Sequence, residues 1–598
     1  MNTQVTTRLN SLRKEMKAAG IDAYVIPSSD PHLSEYPPEC WKDRAWISGF
    51  DGSAGTVVVT LEEAGLWTDS RYFLQAEKQL EGTTITLYKE GVPGTPTISE
   101  FLRQHANTIR TVGFKGKAIS YKETHTLQCN IAVLGIKTEA SLDLVGNCRE
   151  EAPTLPAEPL FIHPLKYAGK STSDKVAEVR LSMEKIGANT IILNTLDEVA
   201  WLFNLRGADV LFNPVGLAYG LITPSRVILY ADREKLSDEV ITHLTENGVE
   251  TAPYENIYHD VSELPSELVF CVDENRINYD LYQAIPLKAT KISHLSPITL
   301  LKACKNEAEY QGYLAAMKRD GIALTRFFMW LESELANGNS YSEYEIGVHL
   351  ANFRAKSDYY VSDSFATIAG YNGNGAIVHY SANEKNSAQV IAKGILLLDS
   401  GAQYKDGTTD ITRTISLDGN PTTEQKQNYT RVLKGHIALA TAIYPQGTRG
   451  SQLDILARKA LWDNCQNYGH GTGHGVGHFL NVHEGPQNIR MDENPTTLMP
   501  GMVTSNEPGI YIANEYGIRI ENLIRTIPYK TTDFGNFYAF ETLTLCYLDN
   551  TLVDVNLLTN DELSWYNAYQ ARVYNELSPL LEQAEAEWLK NKTQPLHK

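Results

Sequence analysis

Long apolar runs are absent from this chain of 598 residues. No stretch of about 18 apolar residues occurs, so a membrane-spanning helix is not expected. Cysteine is scarce: seven are scattered at Cys40, Cys129, Cys148, Cys271, Cys304, Cys465 and Cys546, with no CxxC pair. An odd, dispersed set does not read as a disulfide framework and fits a reducing, cytoplasmic compartment. Positive charge is short as well. Against 72 acidic residues stand 53 lysines and arginines, and the net charge of -19 argues against nucleic acid or an anionic membrane as partner. No cleavable signal is expected either, because Arg8, Arg13, Lys14 and Lys17 fall among apolar residues at helical spacing. Peptides, metabolites and proteins remain as partners.

The length allows three or four domains of about 150 residues each. The chain opens with apolar positions Leu9, Leu12 and Met16, then Gly20 and a strand over Ile21 to Ile26. A second unit of the same kind begins near Lys175. There Val176, Val179 and Met183 lead to Gly187 and a strand from Thr190 to Leu193. Each unit continues to a tryptophan, Trp46 or Trp201, and a Val/Ile-rich strand. These read as two copies of one mixed α/β domain joined by the Pro-rich segment Pro153 to Pro164. Asn306 to Glu309 opens a long helix running toward Trp330, and from His379 onward the pattern reads as strands joined by tight turns. A capping box from Thr559 to Glu562 starts a helix bearing Leu563, Tyr566 and Val573, and Ser578-Pro579 is expected to start another. The expected fold class is α/β (α+β), with domains at residues 1–152, 153–303 and 304–598 and a helical extension from about residue 550.

Three stretches carry the chemistry. The histidine stretch GHGTGHGVGHFLNVHEGP places His470, His474, His478 and His483 among glycines that disfavour a helix, so it reads as a glycine-rich strand or loop. Its HxxxH spacing has Gly471 where a zinc-protease helix needs a glutamate. Before it, Asp399 ends the apolar run Ile395 to Leu398, and Asp410 follows a Lys405-Asp406-Gly407 turn, so a hairpin brings the two carboxylates together. After it, Glu507 ends a strand read as apolar from Met502, and Glu521 shares a strand face with Gly517 and Arg519. Asp406 and Asp418 read as turn residues, and His478 is given no role.

Four carboxylates at buried strand ends repel one another and raise each other's pKa unless cations compensate them. Two divalent ions supply that charge, with one histidine completing the ligands. An oxygen-rich set with one imidazole suits Mn²⁺, or Co²⁺ or Zn²⁺, better than a sulfur-loving ion. Two such metals about 3.5 to 4 Å apart can hold a bridging water, lower its pKa and polarise a carbonyl, which is hydrolytic chemistry.

At these residues the sequence resembles the metallopeptidases of the pita-bread fold, and within them the long, three-domain Xaa-Pro aminopeptidases. The motifs are SDPHLSEY, SGFDGSAGT and TDSRYFLQAEKQL near the start, then YGHGTGHGVG and NVHEGP. The resemblance implies two small N-terminal domains before a pita-bread catalytic domain, and commonly a homodimer. It implies Asp399, Asp410, His474, Glu507 and Glu521 as ligands of two metals, and His379 and His483 as the histidines that contact substrate and stabilise its tetrahedral intermediate. Arg71 is similar to a first-domain arginine of the substrate pocket, His470 is a candidate wall for the proline ring, and Arg519 would hold nearby carboxylates. The implied reaction removes the first residue from peptides with proline second, with Glu507 relaying the proton to the leaving nitrogen and His483 donating to the oxyanion. A prolidase acting on Xaa-Pro dipeptides is the alternative, opposed by the duplicated N-terminal domain and the C-terminal extension.

Overall fold

Leu9, Leu12 and Met16 recur on one helical face, and the helix Thr3–Ala19 buries all three. Gly20 ends it at φ +70°, and the amide of Ile21 still bonds back to the carbonyl of Met16 at 2.9 Å. The strand therefore starts two residues later than expected, at Ala23–Ile26. The structure is a computed structural model that describes residues 3–149 and 151–598. It divides into two compact units, one formed by Met1–Leu165 with Lys170–Thr299 and the other by Lys166–Gly169 with Leu300–Lys598.

The first unit contains the expected duplication. One six-stranded sheet runs, edge to edge, through Ile85–Lys89, Ala64–Thr68, Thr56–Thr60, Ala23–Ile26, Thr111–Phe114 and Lys137–Glu139. The other runs through Glu250–Ala252, Val227–Ala231, Ala218–Ile222, Thr190–Leu193, Val269–Val272 and Thr290–Ser293. Strand order and the sense of every pairing are the same in both: parallel, antiparallel, antiparallel, parallel, parallel. The second copy's helix, Thr172–Lys185, is capped by the Ser171 hydroxyl and buries Val176, Val179 and Met183.

The second unit is built on the helix Glu307–Ala336, where Asn306 and Glu309 form the capping box. Its buried face, including Leu324, Phe327, Phe328 and Leu331, packs against Leu396, Leu398 and Ile411 of a three-stranded antiparallel sheet. That sheet is formed by Ile368–Tyr371, Ile395–Ser400 and Ile411–Ser416. A six-stranded sheet carries Gly473–Gly475 between Glu484–Ile489 and Val503–Asn506, and the hairpin Gly509–Ile512/Tyr516–Arg519 completes the strands around the site.

Four readings of this unit need correction. The chain after His379 is not strands alone: Thr423–Ala440 and Gly450–Trp462 are helices, the first announced by a Thr422/Gln425 capping box. Ser578-Pro579 makes one 3-10 turn, and the next α-helix starts only at Gln583. Val503–Asn506 is buried throughout yet polar at three of its four positions, where Ser505 accepts from the His474 amide and Asn506 donates to the His436 carbonyl. Asp406 is more than a turn residue. It is 5% exposed and forked to Arg319, with one contact at 2.8 Å, so it anchors the hairpin on the long helix.

Candidate metal centre

Strand register assembles the site. Asp399 pairs with Thr412 and Ser400 with Ile411, which sets Asp410 beside the end of the strand that bears Asp399. The Lys405-Asp406-Gly407 turn closes a smaller hairpin in which Tyr404 pairs with Gly407. His474 sits at the centre of Gly473–Gly475, squeezed between two strands. A Cβ on Gly473 would lie 2.0 Å from the Ser505 carbonyl, and one on Gly475 2.4 Å from the Glu484 carbonyl. Only glycine permits that approach, and it presents the imidazole to the carboxylates.

His474 Nε2 lies 3.4 Å from both Asp410 Oδ2 and Glu507 Oε1. Asp410, His474 and Glu521 each offer a ligand atom, all within 4.8 Å of one another. The Gly475 carbonyl, 2.9 Å from His474 Nδ1, accepts its hydrogen and turns Nε2 toward the cluster. Ser505 accepts from the His474 amide at 2.9 Å and donates to Glu507 Oε1 at 3.1 Å. Arg519, 1% exposed, donates to Asp399 Oδ2 at 2.6 Å, to the Tyr511 hydroxyl at 2.7 Å and to the Thr412 hydroxyl at 3.1 Å. The Thr412 hydroxyl in turn donates to Glu521 Oε2 at 2.8 Å. Tyr511 and Thr412 were not singled out in the sequence. Tyr511 pairs with Gly517, the first of the alternate residues that lead to Arg519, and Thr412 lies directly opposite Asp399.

Of the other expected residues, His470 and His483 lie against this cluster. His470 is buried between Tyr468 and Tyr511; its Nε2 meets the Tyr511 hydroxyl at 2.8 Å and its Nδ1 lies 3.9 Å from Glu507 Oε2. The His483 ring stands perpendicular to that of His474, with centroids 4.4 Å apart. His379 is half-buried in the turn after the short helix Asn372–Ala376, which backs onto the strand of Arg519 through Gly375 and Gly517. Arg71 lies in the first compact unit, forked to Asp69 at 2.7 and 2.8 Å.

The carboxylates are poorly compensated by the protein alone. Burial raises Glu507 to about 7, against the pull of His474 and with help from Asp410 and Asp399. Glu521 is raised well above the ordinary range by burial and then by Asp410, Glu507 and Asp399. Asp399 is raised by burial despite Arg519, and among the described residues no hydrogen-bond donor reaches its Oδ1. His474 shifts the other way: burial disfavours its charge, but Asp410 and Glu507 outweigh that and raise it to about 9. An orphaned buried carboxylate oxygen and mutually raised carboxyl groups fit a site that receives divalent cations.

Carboxylates and one imidazole at strand ends, with no thiolate, form the donor set of an oxygen-ligated metallohydrolase. The chain belongs to the metallopeptidase family M24, whose model matches residues 311–526, followed by the C-terminal region of peptidase M24 at 536–596. Two models of the creatinase/prolidase N-terminal domain match residues 8–140 and 151–309. A probable Xaa-Pro aminopeptidase P of Coprinopsis cinerea is 41% identical, covering 98% of each chain. Xaa-Pro aminopeptidase 1 of Dictyostelium discoideum is 40% identical over 99% of this chain and 97% of its own. The crystal structure of X-prolyl aminopeptidase from Caenorhabditis elegans, described as a cytosolic enzyme with a di-nuclear active site, superposes with a TM-score of 0.94 at 34% identity. It covers 99% of this chain and 100% of that one.

Proposed function

We propose that this chain is a metal-dependent aminopeptidase that hydrolyses the bond between the first residue of a peptide and a following proline. The observation that carries the reading is the convergence of Asp410, His474 and Glu521 within 4.8 Å, beside Asp399 and Glu507, in a chain similar over its full length to Xaa-Pro aminopeptidases. Asp399, Asp410, His474, Glu507 and Glu521 would hold two divalent ions, with Mn²⁺ the proposed metal and Co²⁺ or Zn²⁺ the alternatives. When bound, the ions supply an acidified water and a polarised scissile carbonyl.

The chain's own groups do the rest. Glu507 takes the proton of the attacking water and passes it to the departing proline nitrogen. His483 donates from its ring to the oxygen of the tetrahedral intermediate, and Arg519 holds Asp399 in place. His379 and Arg71 are proposed substrate contacts, and His470 a proposed border of the proline ring. The proposed setting is the cytosol and the proposed assembly a homodimer.

Selection of proline has a physical basis. An Xaa-Pro bond is a tertiary amide without N–H, and the ring fixes φ near about -65°, so a site shaped to that ring rewards a geometry other residues rarely hold. The test is a panel of Xaa-Pro, Xaa-Pro-Yaa and Xaa-Ala-Yaa peptides. Xaa-Pro-Yaa should be cleaved fastest. A higher kcat/KM on the dipeptide would favour prolidase, and equal rates on Xaa-Ala-Yaa would refute proline selection.

A further inference from the structure

Glu484 follows His483 directly and opens the strand Glu484–Ile489, where it pairs with Gly475, the neighbour of His474. Its neighbour His483 meets His474 ring to ring, with centroids 4.4 Å apart. The Glu484 carboxylate meets other partners than the imidazole beside it in sequence. It is fully buried, and two ammonium groups meet it: Lys302 Nζ on Oε2 at 2.5 Å and Lys305 Nζ on Oε1. Both lysine side chains are 1% exposed. Lys305 Nζ also donates to the Lys302 carbonyl at 2.8 Å, and its backbone amide to the Gly501 carbonyl at 3.1 Å. The other end of the His483 loop is held by the Tyr313 hydroxyl, 2.9 Å from the Val476 carbonyl and 2.6 Å from that of Gly477.

Three buried charges on one contact are a poor source of stability, because their desolvation offsets most of their attraction. What they fix is position. We propose that Glu484, gripped by Lys302 and Lys305, is a positioning residue that holds His483 against His474 at the distance the reaction needs. This rests on the role given to His483 above. Displacing a reacting group by about 1 Å costs about 10²-fold in rate, so a loosened Glu484 reads out in kcat.

The test is a double-mutant cycle in the metal-loaded enzyme. Glu484→Gln should lower kcat about tenfold to a hundredfold, leave KM within about threefold and retain two metals per chain. In a His483→Ala background the same substitution should change kcat less than about twofold. Because Glu484→Gln strands two buried ammonium groups and can fail to fold, Lys305→Met is the second variant. It leaves one neutral pair, should fold, and should show the same non-additivity with His483→Ala. Losses that multiply with those of His483→Ala, a wild-type kcat in either folded variant, or loss of metal would overturn the inference. A His483→Ala enzyme of full rate would overturn the role of His483 itself, and this inference with it.

Discussion

Stripping the metals should make stability fall as pH rises from 5 to 8, because the folded site then holds protons that the unfolded chain releases. Glu507 ordinarily ionises at 4.5 and in the folded protein near 7. Between those values the folded state binds the extra proton, so stability decreases with pH, by about 3 kcal/mol across the interval. His474 acts in the same direction. Its folded value of about 9 lies above the ordinary 6.5, so its contribution is complete below 6.5 and lost as pH climbs through 9. The two groups face each other at 3.4 Å and share that interaction, so their losses do not add, and about 3 kcal/mol is the scale to look for. The assay is urea unfolding of chelator-dialysed protein at pH 5, 6, 7 and 8, beside metal-loaded protein, following a probe in residues 300–598. The gap between the two forms should widen with pH, since ligand carboxylates bind metal only when ionised. Glu521→Gln isolates the cause: it keeps an acceptor for the Thr412 hydroxyl but removes a buried ionisable carboxyl group. That variant, metal-free at pH 8, should be more stable than metal-free wild type while binding less metal. A flat or rising stability curve for the metal-free wild type, or a less stable Glu521→Gln, would refute the electrostatic reasoning.

Asp410→Asn should drop bound metal below two ions per chain and lose most activity; full occupancy by elemental analysis with a normal rate would contradict the dinuclear assignment. His483→Ala should keep both metals and lower kcat by about 10² to 10⁴, whereas His474→Ala should lose metal, and equal metal loss in the two would erase that division of roles. Tyr569→Phe should destabilise the second unit by about 1 to 3 kcal/mol, because the buried Arg413 donates to its hydroxyl at 2.9 Å. Arg413 also donates to the carbonyls of Thr412 and Glu521, so weaker metal retention should accompany that loss, measured by competition with a chelator.

The elements legible in the sequence are those whose signal is local. Leu9, Leu12 and Met16 mark a helix face, Asn306 and Glu309 a helix start, and Ile395 to Leu398 a buried strand, and each was found where the pattern put it. The carboxylates of Asp399 and Asp410 could be brought together from a hairpin alone. Partners joined only by tertiary contact were not visible. Thr412 and Tyr511 read as ordinary strand residues until register sets them on Asp399 and Arg519. Lys302 and Lys305 stand about 180 residues from Glu484, and nothing local distinguishes them from surface lysines. Asp406 misled for the complementary reason: Asp-Gly is so strong a turn signal that it concealed an ion pair with Arg319.

The duplicated first unit shows why fold and chemistry have to be argued separately. Two sheets share strand order and the sense of every pairing, yet neither carries a carboxylate and imidazole cluster like that of the second unit among the described residues. In the second unit the same elements that bury apolar surface also carry the charges at their ends. Leu396, Leu397 and Leu398 are almost wholly buried, each worth about 1.5 to 3 kcal/mol, and the next residue is Asp399. Ile518 and Ile520 are buried likewise on either side of Arg519, and Glu521 follows. The repulsion among these buried carboxylates, relieved when cations bind, becomes part of the driving force for taking them up.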